Sequence, residues 1–584
     1  MERRLLYLTL LILGILTLSS FYLSWSVDRG MGEITIERRV IEPEPGHQVS
    51  FLVYQPRTAN HYQPMPIVLT IHGLAGSKER MYAFNIELAR RNFTVVSVDL
   101  PGHGDSPLPF QPDQYHSMAE DAYAALRFVQ NTWPQVDNEA YGVLSHSLGL
   151  RVAVELQDFT IAPLAYVTVG DVGQTDEGGY VDLPGNLLMA LGESDEMIPA
   201  STALDAIRYV TGNASAEAGV TYGSFTTETA YKLAFAQTNH LFEATDPTIV
   251  SESVAWLVQG VQGGNHLQHT LDPMSQIFSF KTAGMMGGTL SLLASVLPFM
   301  ALIYSFIPKR MRPRRIPSDS PSLSASRRVV YGSLLGALPI AVYAITSSVG
   351  LELENSGMAL LDSMFATGLG LFYILTAVGM ALTLYALLGR DVFGAALATV
   401  GIGRSNLADN FKDIVKGLFL AGVTVAWFMT FLSLCGLEEW MQPWISLCFL
   451  RWPVWQRGVN TIVMAGLAIP YLVMDSTMMR GILLVNRDSG DLPSRIKDIA
   501  LVFVGKFAVM AVLALAFSFG TAALGILTVR VTLLGLLLLL FLVINLLVTA
   551  ISIWTIVDVE NTWPAMFVGA FLLALVAISS VPLI

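Results

Sequence analysis

The chain is poor in cysteine, in charge and in basic residues. Its only two cysteines in 584 residues are Cys435 and Cys448, both in an apolar stretch. No disulfide framework or paired-cysteine metal site can be built from them, and both read as packing residues. Charged residues make up 14% of the chain and hydrophobic ones 53%. Globular domains carry roughly 25% charged residues, so much of this chain cannot form a water-facing surface. Lys and Arg number 34 against 46 Asp and Glu, a formal net charge of −12. With no basic stripe in the more polar half, nucleic acid is not an expected partner. Walker loops, His-Glu-x-x-His motifs and evident internal repeats are missing too, so the sequence implies no cofactor and no metal.

Long apolar runs are abundant. Leu5 to Val27 follows Met1-Glu2-Arg3-Arg4 and ends near Trp25. A signal peptide has a core of about 7–15 residues and a small-residue cleavage site, so this longer run reads as a retained anchor. From Thr282 onward, runs near the ~20 residues of a spanning helix follow one another. Candidate spans are 283–307, 329–349, 360–388, 414–437, 459–485, 499–523, 530–557 and 563–583, with a short interfacial or re-entrant stretch from Trp440 to Trp455. Loop charge gives an orientation. Lys309, Arg310, Arg312, Arg314, Arg315, Arg327 and Arg328 form the most basic stretch, which the positive-inside rule places in the cytoplasm. Arg3 and Arg4 place the N-terminus there as well, and the segment between the first two spans then falls outside. The expected domains are 1–27, an anchor; 28–265, an extracytoplasmic domain; and 266–584, a membrane domain with a basic cytoplasmic loop at 308–328. Asp362, Asp475, Arg480, Arg530 and Asn545 sit in or beside spans, where ionisable groups are costly and are functional candidates by default. Asp475 and Arg480, five apart, read as an ion pair or a snorkelling arginine. His266 and His269 read as juxtamembrane polar residues.

The segment 28–265 alternates short apolar strands with helical patterns, and its loops carry the chemistry. Gly142-Val143-Leu144-Ser145-His146-Ser147-Leu148-Gly149 reads as a strand turning sharply into a helix, which lifts the Ser147 hydroxyl clear of the sheet. Pro66 to Ile71 reads as a strand before His72-Gly73-Leu74-Ala75-Gly76. Val95 to Val98 reads as the next, before Asp99-Leu100-Pro101-Gly102-His103-Gly104-Asp105-Ser106. Further on, Ala165 to Val169 precedes Asp171. The strand Asn186 to Leu191 precedes Gly192-Glu193-Ser194-Asp195-Glu196, and Lys232 to Gln237 precedes Thr238-Asn239-His240.

In this order the motifs resemble the α/β-hydrolase fold family over roughly residues 33–260. One departure is Ser145, where that family's elbow has glycine. The resemblance implies an α/β domain with a mostly parallel sheet flanked by helices, fused here to an all-α transmembrane bundle. It implies a nucleophile at Ser147, a base at His240 and an acid at Asp195, with Asp171 as the alternative acid. The oxyanion donors would be the N–H groups of Leu74 and Leu148. Glu193 and Glu196 read as a solvated face, and the resemblance implies that His103 and His146 are structural or loop-lining. The residues from Val172 to Pro184 are too few for a large cap domain and read as a small mobile lid or loop. The implied chemistry is hydrolysis of an ester or thioester, lipid-like in one version, through an acyl-enzyme on Ser147. Peptide cleavage stays open. So does a transporter or lipid-handling bundle with the hydrolase fold as sensor or accessory module. Expected partners are an acyl ester substrate, membrane lipids, and partner subunits or a second copy through the bundle.

Overall fold

The structure is a computed structural model that describes residues 3–59, 62, 64–175, 177–263, 271–313, 323–402, 407–434, 455–484, 492–523, 529–579 and 581–584. Cys435, Cys448, His266, His269, Arg314, Arg315 and nearly all of the 440–455 stretch lie outside them. The chain forms two compact units. One gathers residues 19–288 and 582–584, and the other residues 1–18, 289–438 and 450–581 apart from those not described.

The first unit is built on a nine-stranded sheet: β1 (Ile34–Glu44), β2 (His47–Pro56), β3 (Met65–Ile71), β4 (Thr94–Val98), β5 (Val136–His146), β6 (Tyr166–Val169), β7 (Leu187–Gly192), β8 (Thr221–Tyr222) and β9 (Tyr231–Ala236), in the order β1-β2-β4-β3-β5-β6-β7-β9-β8. The hairpin β1–β2 joins β4 antiparallel, and β8 closes the far edge antiparallel; all pairings between are parallel. The central strands are near-continuous apolar runs because helices cover both faces. Successive side chains alternate between those faces. Val96, Val143, Tyr166 and Leu187 enter one core with the helix Tyr115–Thr132. Val95, Leu144, Val167 and Leu188 enter the other with the helices Tyr82–Ala89 and Pro247–Leu257. Each fully buried Val, Leu or Ile stabilises the unit by roughly 1.5–3 kcal/mol. Helix ends carry local signals: Asp246 accepts from the N–H groups of Thr248 and Ile249, with Pro247 in the first turn, and Gly212 closes the helix Ala200–Thr211 at φ +60°.

Register decides what the sheet presents. Ile71 pairs with Ser145, His146 with Val169, Val169 with Ala190, and Gly192 with Ala236. The parallel strands therefore end together, and the loops beginning at residues 72, 147, 170, 193 and 237 emerge side by side along one edge. Such an edge is where open α/β sheets bind ligands.

The second unit is helical. Eight helices among the described residues are long and apolar enough to cross a membrane: Arg3–Asp28, Phe278–Phe306, Ala325–Asn355, Ala366–Thr399, Ala408–Phe431, Arg457–Leu483, Ile496–Ala516 and Phe541–Val559. The first two run through both units. The ninth expected span corresponds to a shorter apolar helix, Trp563–Ser579. Large apolar side chains such as Leu11, Ile345, Leu382, Phe411 and Ile462 lie exposed along these helices, as a hydrocarbon surround favours and water does not.

The ionisable residues of this unit correct the sequence reading. Asp362 is exposed outside the helices. Asp475 pairs with Lys506 at 2.8 Å, and Lys506 also donates to Thr549 at 2.8 Å. Asn545 accepts from Lys506 and donates to the Tyr471 hydroxyl. Arg480 does not snorkel: it is fully buried and donates to the carbonyl of Glu560 at 3.0 Å. Arg328, expected in the basic loop, is buried too, bonded to Asp498 and to the carbonyls of Ile482 and Leu483. A carbonyl freed by an irregular turn is a partner that spacing along the chain does not disclose.

Candidate active site

The turn after β5 forces the backbone into an uncommon conformation. Ser147 has φ +51°, its N–H donates to the carbonyl of Val169, and its own carbonyl accepts from Leu150 as the helix Gly149–Glu155 begins. A Cβ on Gly149 would strike the carbonyls of Ile71 and His72, and one on Gly73 would strike His146 and Ser147. Both positions are glycine because backbone approaches backbone there. Ser145 is tolerated where glycine is usual because its hydroxyl donates to the carbonyl of Val167 at 3.2 Å, inside the sheet. The result is a half-buried hydroxyl standing at the sheet edge.

Two other loops turn side chains toward it. His240 Nε2 lies 3.2 Å from Ser147 Oγ, and His240 Nδ1 lies 3.0 Å from Asp195 Oδ2. Asp195 is held in turn: its Oδ1 accepts from the N–H groups of Met197 and Ile198 at 2.6 and 2.9 Å. The bond to Asp195 fixes the proton on Nδ1 and leaves Nε2 free to accept from the serine. Asp171 stands apart. Its Oδ1 accepts from Val172 and Gly173, and its Oδ2 lies 3.7 Å from Arg151, so it serves its own turn.

Electrostatics around His240 are crowded. Burial disfavours its charged form, but the hydrogen bond and charge of Asp195, then the charges of Glu243 and Glu196, outweigh this and push the imidazole up to about 9. Burial, and the nearby His240, hold His146 well below the ordinary histidine value, so it is neutral. Its ring lies 5.4 Å from that of His240.

The loops beside the hydroxyl are pinned from within. His72 Nε2 accepts from the N–H of Leu100, and its Nδ1–H donates to the carbonyl of Gly73. His103 Nε2 accepts from Ala75 N–H, and its Nδ1–H donates to the carbonyl of Pro101. Lys78, fully buried, bonds both Asp99 and Asp105. These contacts fix the turn that carries Leu74, half-buried like Leu148 next to Ser147.

Sequence reasoning misplaced one residue here and missed three. Glu193 is exposed, but Glu196 is half-buried and accepts the backbone N–H of His240 at 3.2 Å. Glu243, Lys78 and Arg80 carried no motif. Arg80 donates to the carbonyl of Leu241, the residue after His240. The spacing His240-x-x-Glu243, one helical turn, was the available signal for the first.

Residues 62–158 match the family model described as serine aminopeptidase, S33. A 118-residue stretch is 34% identical to a dihydrolipoyllysine-residue acetyltransferase component of an acetoin-cleaving system from Cupriavidus necator. That stretch is 20% of this chain, and the chain spans only 29% of that relative's length. Among solved structures, a cold-adapted esterase from an Arctic intertidal metagenomic library aligns at 16% identity over 39% of this chain and 95% of its own, with a TM-score of 0.29. A Pyrococcus furiosus esterase aligns at 13% over 41% and 95%, also at 0.29, and a Coxiella burnetii serine hydrolase homologue at 17% over 38% and 96%, at 0.28. The parallel sheet and the serine elbow define an α/β-hydrolase fold, part of which matches a serine hydrolase family model, and the chain also holds a helical region with several apolar helices of membrane-spanning length.

Proposed function

We propose that this protein is a membrane-anchored serine hydrolase that cleaves an acyl ester or thioester. The observation that carries the reading is the chain of contacts from Ser147 Oγ through the two nitrogens of His240 to Asp195, on a serine held at φ +51°. In the proposed cycle Ser147 attacks the substrate carbonyl while His240 Nε2 takes its proton. The N–H groups of Leu148 and Leu74 receive the oxyanion. His240 then returns the proton to the leaving group, and water on the same imidazole clears the acyl-enzyme. Removing one such oxyanion donor generally costs about 10²–10³ in rate.

The matched family's description names an aminopeptidase, which favours a second reading: the same nucleophile cleaving a peptide amide. A lipid-like acyl group suits an enzyme whose own helices lie in a bilayer. The basic residues suggest the sidedness. Arg3 donates to the carbonyl of Ser305, at the end of the second apolar helix. The N-terminal arginine thus shares a face of the bundle with Lys309 and Arg310, in keeping with a cytoplasmic position for both and an extracytoplasmic hydrolase domain.

A fluorophosphonate probe on the full-length protein in detergent tests the reading. Wild type should be labelled and Ser147→Ala should not; an unlabelled, folded wild type would overturn it. Hydrolysis of p-nitrophenyl butyrate against aminoacyl-p-nitroanilides then separates ester from amide cleavage.

A further inference from the structure

Glu243 is a buried carboxyl at the relay that has no part in the reaction proposed above. It is fully buried one helical turn after His240. Its Oε1 accepts the N–H of Gly192 at 2.5 Å. Its Oε2 lies 3.5 Å from His240 Nδ1, whose proton is directed to Asp195 at 3.0 Å. No N–H or O–H among the described residues donates to Oε2. A Cβ at Gly170, φ +71°, would collide with both Glu243 Oε2 and the imidazole, so the end of β6 is kept bare to admit this carboxyl. One oxygen each of Glu243 and Asp195 and a nitrogen of His240 lie within 4.8 Å of one another, and when two carboxylates share a buried site one of them is driven to hold a proton.

We infer that Glu243 carries a proton at neutral pH and donates it in a hydrogen bond to Asp195, a positioning residue that orients the acid of the relay and withholds one negative charge from His240. The inference rests on the serine-hydrolase reading for its consequence, though not for its geometry. Asp195 already accepts Met197 and Ile198 on Oδ1, so a donor from Glu243 leaves its carboxylate few ways to turn. The choice of which acid is protonated follows from surroundings. Asp195 receives two backbone donors and the imidazole N–H, whereas Glu243 receives one backbone donor and full burial. Burial first, then the adjacent Asp195 charge, hold Glu243 well above the usual carboxylate range.

The consequence concerns the base. With Asp195, Glu196 and Glu243 all ionised, His240 would stay protonated at neutral pH and could not take the proton of Ser147. A neutral Glu243 leaves the imidazole facing Asp195 and Glu196, with His146 neutral beside it and Asp171 and Arg80 on the neighbouring loops. No proton on Glu243 moves during turnover.

The pH dependence of kcat/KM for p-nitrophenyl butyrate, measured on the full-length protein, tests this. Glu243→Gln keeps the donor to Asp195 and adds no charge, so its acid limb should stay within about 0.5 pH unit of wild type. Glu243→Ala removes the donor, and kcat should fall about 10- to 100-fold with KM little moved. An acid limb that drops by about one unit or more in Glu243→Gln would show that a charge had been removed, and would overturn the inference. Infrared difference spectra give an independent reading. The carbonyl stretch of a neutral carboxylic acid should be present in wild type and missing in Glu243→Gln, or in Glu243→Ala if the glutamine variant does not fold. Its absence from wild type at pH 7 would refute the assignment. If wild type neither hydrolyses the ester nor takes a fluorophosphonate, the enzyme reading falls, while the infrared band still decides where the proton is.

Discussion

Each unit of this protein buries a small group of charged and polar side chains, and the two groups are put together in opposite ways. In the bundle, Lys506 meets Asp475, Thr549 and Asn545, and Asn545 meets Tyr471. Donors and acceptors close on one another, and the lysine charge is matched by one carboxylate. In the hydrolase unit, Asp195 is held by backbone N–H groups of its own loop, and the imidazole bridges it to a half-buried hydroxyl at the sheet edge. The first group satisfies itself. The second is held from behind and ends on a half-buried hydroxyl at the sheet edge. Both groups are buried and carry charge, so the open end is the feature that the serine-hydrolase reading assigns to chemistry.

The sharpest way to break that contrast is to remove the open end. Ser147→Ala should lower kcat by about 10⁶-fold, because nucleophile and base act as a unit, while the melting temperature stays close to wild type. Asp195→Asn, which permits the wrong tautomer of His240, should lower kcat by about 10⁴-fold. Esterase assays on purified full-length variants, with thermal unfolding in parallel, check both. A Ser147→Ala variant that still hydrolyses p-nitrophenyl butyrate would dissolve the distinction.

Next in size is the converse experiment on the closed group. Lys506→Met leaves the Asp475 carboxylate buried without its cation and should destabilise the bundle by about 3–5 kcal/mol. The double variant Lys506→Met/Asp475→Leu should recover most of that loss, since an apolar pair needs no partner. Unfolding of the detergent-solubilised protein measures both, and esterase activity of the folded fraction should follow wild type. If activity collapsed in the rescued double variant, the network would have a role beyond structure.

How much of each unit could be read from residues alone follows the same division. The parallel strands β3, β4, β6, β7 and β9 were legible because buried parallel strands are short apolar runs ended by Gly, Pro and Asp. Their boundaries lie within a residue of the expected ones, as in Met65–Ile71, Thr94–Val98 and Leu187–Gly192, whereas β5 begins six residues before the expected Gly142 and β1, β2 and β8 had no such signal. The meeting of Ser147, Asp195 and His240 was legible because each lies in the loop that follows such a strand. Glu243, Lys78 and Lys506 were not. Their roles depend on which distant group faces them: Gly192 for Glu243, Asp99 for Lys78, and Asp475 for Lys506. A sequence pattern orders elements along a chain, whereas a buried charge is explained only by its partner across space.

The pH profile sharpens the comparison on the open side alone. His240 must be neutral to act as base, so kcat/KM should rise about tenfold per unit as pH increases toward its pKa, and level above it. That pKa lies above the ordinary 6.5. Stability runs the other way. A histidine raised in the folded state stabilises fully below 6.5, and that contribution is lost as pH rises from there through the folded pKa. Activity and stability should therefore diverge between those limits. An acid limb below 6.5 would mean that the carboxylates do not act on this imidazole.

The smallest effect belongs to Ser145, the one position where the elbow departs from the usual glycine. Its hydroxyl donates to the carbonyl of Val167 on β6, and the side chain is fully buried. Restoring glycine removes a hydrogen bond of about 1 kcal/mol and adds backbone freedom in a strand, costing about 0.5–1 kcal/mol more. Both losses fall on the sheet beneath the nucleophile. The path from Ser147 to His240 is untouched, since Ser147 is fixed by Val169 and the head of the following helix. Ser145→Gly should therefore unfold at a temperature a few degrees lower and hydrolyse esters at nearly the wild-type rate. A large fall in kcat without a fall in stability would mean that this hydroxyl holds the elbow itself, and that the serine substitutes for glycine by tuning the nucleophile rather than by filling the sheet.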